Sequence, residues 1–201
     1  CWAVVAMSLV YWPPGHRSSA RIVRMPTISF SGVPVAVRPE SAAALMRVIH
    51  TAEDLTHQSK SARYNIRGQP DEDYVGQLAS LTEDVAHTMV DVLVARVRVL
   101  GQPVAYTLAA VAEGSVLTPF PLDLQDGAEI TAQLGQSWMV LAELASEQIG
   151  VLRGLGDSVS AHILEHRLMD LEAASANLQK IVGARDPEEA VEHQAIKGQL
   201  D

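Results

Sequence analysis

Asp84, His87 and Asp91 recur at i, i+3 and i+7, a spacing that sets all three on one side of a helix. Two carboxylates and an imidazole are donors that ferrous, manganous and zinc ions accept. Three donors on one helix nevertheless make a solvated polar face more readily than a metal site, because metal sites draw ligands from several elements. His162, Glu165 and His166 form a second candidate, with the H-x-x-E-H spacing of inverted zinc proteases. That motif is short and arises by chance, and no third ligand stands beside it, so protease chemistry is not expected. Arg96 and Arg98 with Asp91 read as an ion-pair network along one helix, and Trp138 as a packing residue.

Four long helical patterns must position these residues. The first covers about 41–65, with apolar residues at 45, 48, 49, 52 and 55. The second covers about 72–100 and stops at Gly101-Gln102-Pro103, a glycine followed by proline just past a helix end. The third covers about 126–153. The fourth follows the turn at Gly154-Leu155-Gly156, is capped by Asp157 or Ser158, and carries Ala161, Leu164, Leu168, Leu171, Ala174, Leu178 and Ile181 as an apolar stripe. The outer links are short and the middle one, 104–122, is long. These features predict an all-α chain, a ferritin-like four-helix bundle with one long crossover between its second and third helices.

The composition agrees with a packed domain: 48% of the 201 residues are hydrophobic, and the single cysteine, Cys1, excludes an internal disulfide framework. A formal net charge of −9 argues against a nucleic-acid-binding surface over the whole molecule and suits a shell that concentrates cations. No apolar run reaches the roughly 20 residues of a membrane span. Three regions are expected: an N-terminal extension over 1–40, a bundle domain over 41–183 and a flexible, proline-broken tail over 184–201. Residues 25–40, with Pro26, Pro34 and Pro39, read as an extended arm. Residues 1–24 read as an extended or misassigned start with Met25 as the first residue. A signal peptide ending at Ser18-Ser19-Ala20 is the alternative, although a basic n-region is absent.

Several segments, in order, carry a family resemblance. Residues 60–68 read KSARYNIRG, where the Dps family reads Lys-x-x-His-Trp-Asn-x-x-Gly. Asp91, Ala95, Arg96, Leu100 and Gly101 follow the family's Asp-x-x-x-Glu-Arg-x-x-x-Leu-Gly. Thr118 to Asp123 follow the segment leading into the third long helix. Ser160-Ala161 and Asp170-Leu171-Glu172 match the last one. Over about residues 42–182 the chain therefore resembles the Dps branch of the ferritin-like superfamily, the iron-mineralising, DNA-protecting cage proteins of prokaryotes.

The resemblance implies a short helix near 107–113 inside the crossover and a homo-oligomer, a dodecamer built from dimers. It also implies iron as the cofactor or cargo, with no organic cofactor, and a location in the prokaryotic cytoplasm, associated with the nucleoid where DNA is bound. It implies a ferroxidase centre shared by two subunits, and there this sequence departs. The family's first-helix His falls on Arg63, its His and Asp near the start of the second helix on Gly76 and Ser80, and its later Glu on Ala95; only Asp91 is retained. The Trp beside the first His is Tyr64, and the last helix's Trp position is Ala176.

Two functions follow. One is iron storage and protection against oxidative stress, with ferroxidase activity reduced or lost. The other is a catalytically silent cage subunit, structural or DNA-associating, that co-assembles with an active paralogue. Whether the chain is an enzyme is left open by the residues. The face of Asp84, His87 and Asp91 is the place for a relocated metal. His162, His166 and Asp170 then face the cage lumen or an interface. DNA association is expected to be weak or absent, with Arg17, Arg21 and Arg24 as the one basic cluster.

Overall fold

The computed structural model describes residues 32–67 and 71–183, with the backbone alone at 71–72 and 177–183. Arg17, Arg21 and Arg24, and the tail from 184 onward, lie outside the described residues. A 3₁₀ turn at Val35–Val37 leads directly into α1 (Arg38–Asn65), and α2 (Asp71–Val99) returns beside it. The crossover holds α3 (Leu108–Gly114), and α4 (Gly127–Gly154) and α5 (Ser158–Gly183) complete the bundle. At a rise of about 1.5 Å per residue the long helices span roughly 40 Å each. Each departs by only a residue or two from its expected bounds except at one end. Residues 35–40, expected to be extended, are helical. Pro39 falls in the first turn of α1, where a missing N–H breaks no hydrogen bond and the ring presets φ.

The helix ends close by recognisable means. After α2, the Gln102 amide donates to the Val97 carbonyl (3.2 Å) and the Gly101 amide to Arg98 (2.9 Å), with Gly101 at φ +77°. This Schellman arrangement needs the left-handed backbone that glycine adopts without strain. The same pair of bonds recurs at Gly156, where the Asp157 amide reaches Leu152 (2.9 Å). Asp126 caps α4 by accepting the amides of Ala128 and Glu129, and Thr107 caps α3 by accepting that of Ala110.

The main core runs through all four long helices, with Leu45, Ile49, Met89, Leu93, Leu141 and Leu164 among its fully enclosed side chains. A second, smaller cluster lies beside it: Ala62, Ile66, Val75, Leu78, Phe120, Ile130 and Leu134. Trp138 is buried as expected, and its indole N–H donates to the Thr82 hydroxyl at 3.1 Å.

α1 is less amphipathic than its neighbours because its outer face is also covered. It packs against α2, α4 and α3, and a row of its polar side chains ties down the crossover. The His50 Nε2–H donates to the Ala105 carbonyl (2.8 Å), and Ser115 donates to the Asp54 carboxylate (2.6 Å). Gln58 Nε2–H donates to the Thr118 carbonyl (2.9 Å), while its oxygen accepts from the Ser137 hydroxyl of α4 (3.2 Å). The His50 ring lies so close to Gly114 that a β-carbon there would fall 1.9 Å from Nδ1. Glycine at the end of α3 is thus what lets the crossover settle on α1.

Candidate metal centre on the face of α1 and α2

α1 and α2 pack along one another and run antiparallel, so residues distant in sequence meet across their shared groove. Near the end of α1, Arg63 reaches Glu83 of α2, Nη2 to Oε1 at 3.6 Å, and its guanidinium also lies 5.6 Å from the ring of Tyr64. Nothing in the sequence singled out Glu83, since its partner is on another helix. Gly76 is half-buried, and Ser80 and Ala95 are exposed on α2. Asp91 is exposed as well and pairs with His87, Nε2 to Oδ2 at 3.6 Å. At the positions implied for iron ligands the chain therefore presents a cation neutralised by a carboxylate, a glycine, a hydroxyl, a methyl and one carboxylate. That donor set does not fit a diiron-carboxylate centre, which needs several carboxylates with imidazole and open positions for an oxidant.

The polar face continues one turn along. Glu53 and His57 of α1 form an i, i+4 pair, Nε2 to Oε1 at 3.5 Å. The Tyr106 hydroxyl of the crossover donates to the other oxygen of Glu53. Partial burial, then the bond to Glu53, then the charges of Glu53 and Asp91, raise the Tyr106 phenol far above its ordinary pKa and keep it neutral. The two carboxylates thus act on one phenol from two helices. Glu53, His57 and Tyr106 escaped the sequence reading because they carry no motif; the alternation of His and acid at four-residue spacing on both helices was the available signal. Among the described residues no three His, Cys, Asp or Glu side chains converge as placed. Asp84 is exposed one turn before His87 on α2.

The expected ion-pair network of Arg96, Arg98 and Asp91 does not form. Arg96 turns inward instead, 6% exposed, and meets Asp157, fully buried at the start of α5, Nη2 to Oδ1 at 2.9 Å. Arg96 Nε–H donates to the Ser160 hydroxyl (2.8 Å), which donates in turn to Asp157 (2.6 Å); Asp157 also accepts the Ser160 amide (3.0 Å). Burial alone would push the Asp157 carboxyl up. The Ser160 hydroxyl and amide and the Arg96 guanidinium outweigh burial and hold it below the ordinary carboxylate range.

On α5, His162 and His166 are exposed with their rings edge to face at 4.6 Å, and Glu165 is drawn to Arg153 and to His162. Asp170 is exposed and pairs with Arg167 at 3.0 Å. A cleft of about 630 Å³ opens between α4 and α5, lined by Leu78, Trp138, Met139, Leu171 and Ala176 among others. No described helix is long and apolar enough to cross a membrane.

No protein-family model matches the sequence, and no curated protein matches it. Solved structures do. The chain is similar to Dps of Mycobacterium smegmatis (19% identity, TM-score 0.68, covering 76% of this chain and 92% of that one). It is similar to Dps of Vibrio cholerae, described as a member of a broad superfamily of ferritin-like diiron-carboxylate proteins (13%, 0.67, 75% and 94%). An archaeal Dps homologue from Halobacterium salinarum aligns over 81% of this chain and 93% of its own (22%, 0.61). The chain has the ferritin-like helical-bundle fold of the Dps proteins.

Proposed function

We propose that this chain is a Dps-like cage protein that sequesters iron and protects against oxidative damage, with ferroxidase activity at the family position reduced or lost. The observation that supports the loss is Arg63, held by Glu83, at one position where the resemblance puts an iron ligand, with Gly76, Ser80 and Ala95 at three others. A guanidinium has no lone pair to give a metal, and its charge opposes a ferrous ion at about 4 Å by up to roughly 4 kcal/mol per unit pair, less whatever the Glu83 carboxylate offsets.

The same missing donors favour a second reading, a catalytically silent subunit that assembles by itself or with an active paralogue. On either reading a homo-oligomer or mixed cage in the prokaryotic cytoplasm is expected, a dodecamer built from dimers. The net charge of −9 leaves DNA association weak.

Light scattering on the purified chain is expected to give a dodecamer, or dimers at low salt. A folded monomer that persists on dilution contradicts the cage. Aerobic iron loading separates the two readings: iron retained in the particle supports storage, whereas a particle that takes up iron only when mixed with an active paralogue supports the silent subunit.

A further inference from the structure

The cleft between α4 and α5 lies toward the end of the bundle where α5 leaves it. Its α4 wall runs from Thr131 to Ala142, in the first half of that helix, and its α5 wall from Leu171 to Ala176, in the second half of the other. Leu78, Trp138 and Leu171 form a buried floor, and Met139, 64% exposed, stands at the rim. The walls are low because their residues are small, with Ala132 and Gly135 on α4 facing Ser175 and Ala176 on α5. Ala176 is where the resemblance implies tryptophan, so the cleft lies where a large side chain would otherwise stand. A β-carbon on Gly135 would meet no atom within 4 Å, which leaves the α4 wall open as well. At about 630 Å³ the cleft has the size of a binding cleft, roughly 300–1,000 Å³.

The chain itself supplies an occupant. Residues 184–201, which lie outside the described residues, follow directly on α5. Pro187 disfavours continuing that helix, since it has no N–H to donate and restricts Asp186 before it. The way back from Gly183 to Leu171 is about 18 Å along α5. Residues 188–200 span about 20 Å as a helix and about 43 Å when extended, so either form covers that distance. They bring Val191 and Ile196, and Lys197 directly after, to a cleft whose one charged lining residue is Glu172. The other end of the chain is worse placed. Gln58 meets Ser137 level with the cleft, so the start of α1 at Arg38, twenty residues earlier, is about 30 Å away.

We propose that residues 184–201 turn back along α5 and cover the α4–α5 cleft of their own chain, with Val191 and Ile196 seated over Trp138 and Met139 and Lys197 beside Glu172. Removal of the apolar rim from water drives the contact, and the opposite charges of Lys197 and Glu172 set its register. Glu188, Glu189 and Glu192 stay toward solvent. Cleft and occupant belong to one chain, so the contact goes beyond the cage reading and does not rest on it.

Two measurements on the full chain test this. Dilute peroxide converts methionine to its sulfoxide at a rate that follows access. Met139 and Met169 are 64% and 62% exposed on the bundle, and only Met139 lines the cleft. Peptide mass spectrometry should find Met139 oxidised at least about 3-fold more slowly than Met169. Val191→Asp combined with Ile196→Asp, which sets charges against the apolar floor, should bring the two rates together. Equal rates in the unaltered chain overturn the proposal. So does protection of Met139 that persists in the double variant, since a second copy or another segment would then cover the cleft. The second measurement pairs Gly135→Cys with Ile196→Cys in a Cys1→Ser background. Mild oxidation should link the two within one chain, giving a faster monomer band on a non-reducing gel. A link between chains, or none, overturns the assignment to the chain's own segment. Circular dichroism checks that every variant keeps its helices.

Discussion

Replacing Asp157 by alanine is expected to cost about 3–5 kcal/mol of stability, because it strands the Arg96 guanidinium in the interior without its counter-charge. The substitution also removes the carboxylate that accepts the Ser160 amide in the first turn of α5. Asp157→Asn should cost less, since the amide oxygen can still accept that bond. The effect has a pH signature. The folded carboxyl sits below its ordinary pKa, so its contribution is complete above the unfolded value of about 3.9 and disappears as pH falls through the folded one. Urea unfolding of wild type and Asp157→Ala at fixed chain concentration should show a gap that is full at neutral pH and narrows below about pH 4. A cost under about 1 kcal/mol at pH 7 would remove the buried pair from any structural role.

Leu134→Ala is the second large effect, expected at about 2–5 kcal/mol for a fully enclosed leucine whose cavity collapses only in part. Leu134 belongs to the smaller cluster with Ala62, Ile66, Val75 and Leu78, apart from the main core. The loss should therefore be uneven. Hydrogen exchange is expected to quicken first around residues 62–66 and 75–78, while amides near Leu93 and Leu141 keep their protection. Uniform loss over the whole bundle would mean that the two clusters open as one.

The sequence disclosed what is periodic and local. Leu45, Val48, Ile49, Ala52 and Leu55 recur at helical spacing, and the stop at Gly101 and the cap at Asp157 are signals of a few residues each. What it hid depends on contacts between helices. Arg96 read as a partner for charges along α2, yet its carboxylate is 61 positions away on α5. Asp54, Gln58 and His50 carry no motif, and their role appears only with the crossover that lies on them. Glu83, the residue that neutralises Arg63, and Glu53 with Tyr106 were silent for the same reason. At the candidate site the substituted positions 63, 76, 80 and 95 were legible one by one, whereas the Glu83 carboxylate that neutralises Arg63 was not.

We propose that this bundle, which has the fold of the Dps proteins, has reduced or lost the ferroxidase activity that the resemblance implies. Stopped-flow oxidation of Fe(II) by peroxide on the assembled chain addresses it most directly, with Asp91→Ala, His87→Ala and His57→Ala alongside. The account predicts no fast saturable phase beyond that of iron and peroxide without protein, and any slow residual oxidation should weaken in the histidine variants as well as in Asp91→Ala. A fast, saturable phase abolished by Asp91→Ala and indifferent to both histidines would contradict it, since the family centre would then be working through its one retained carboxylate.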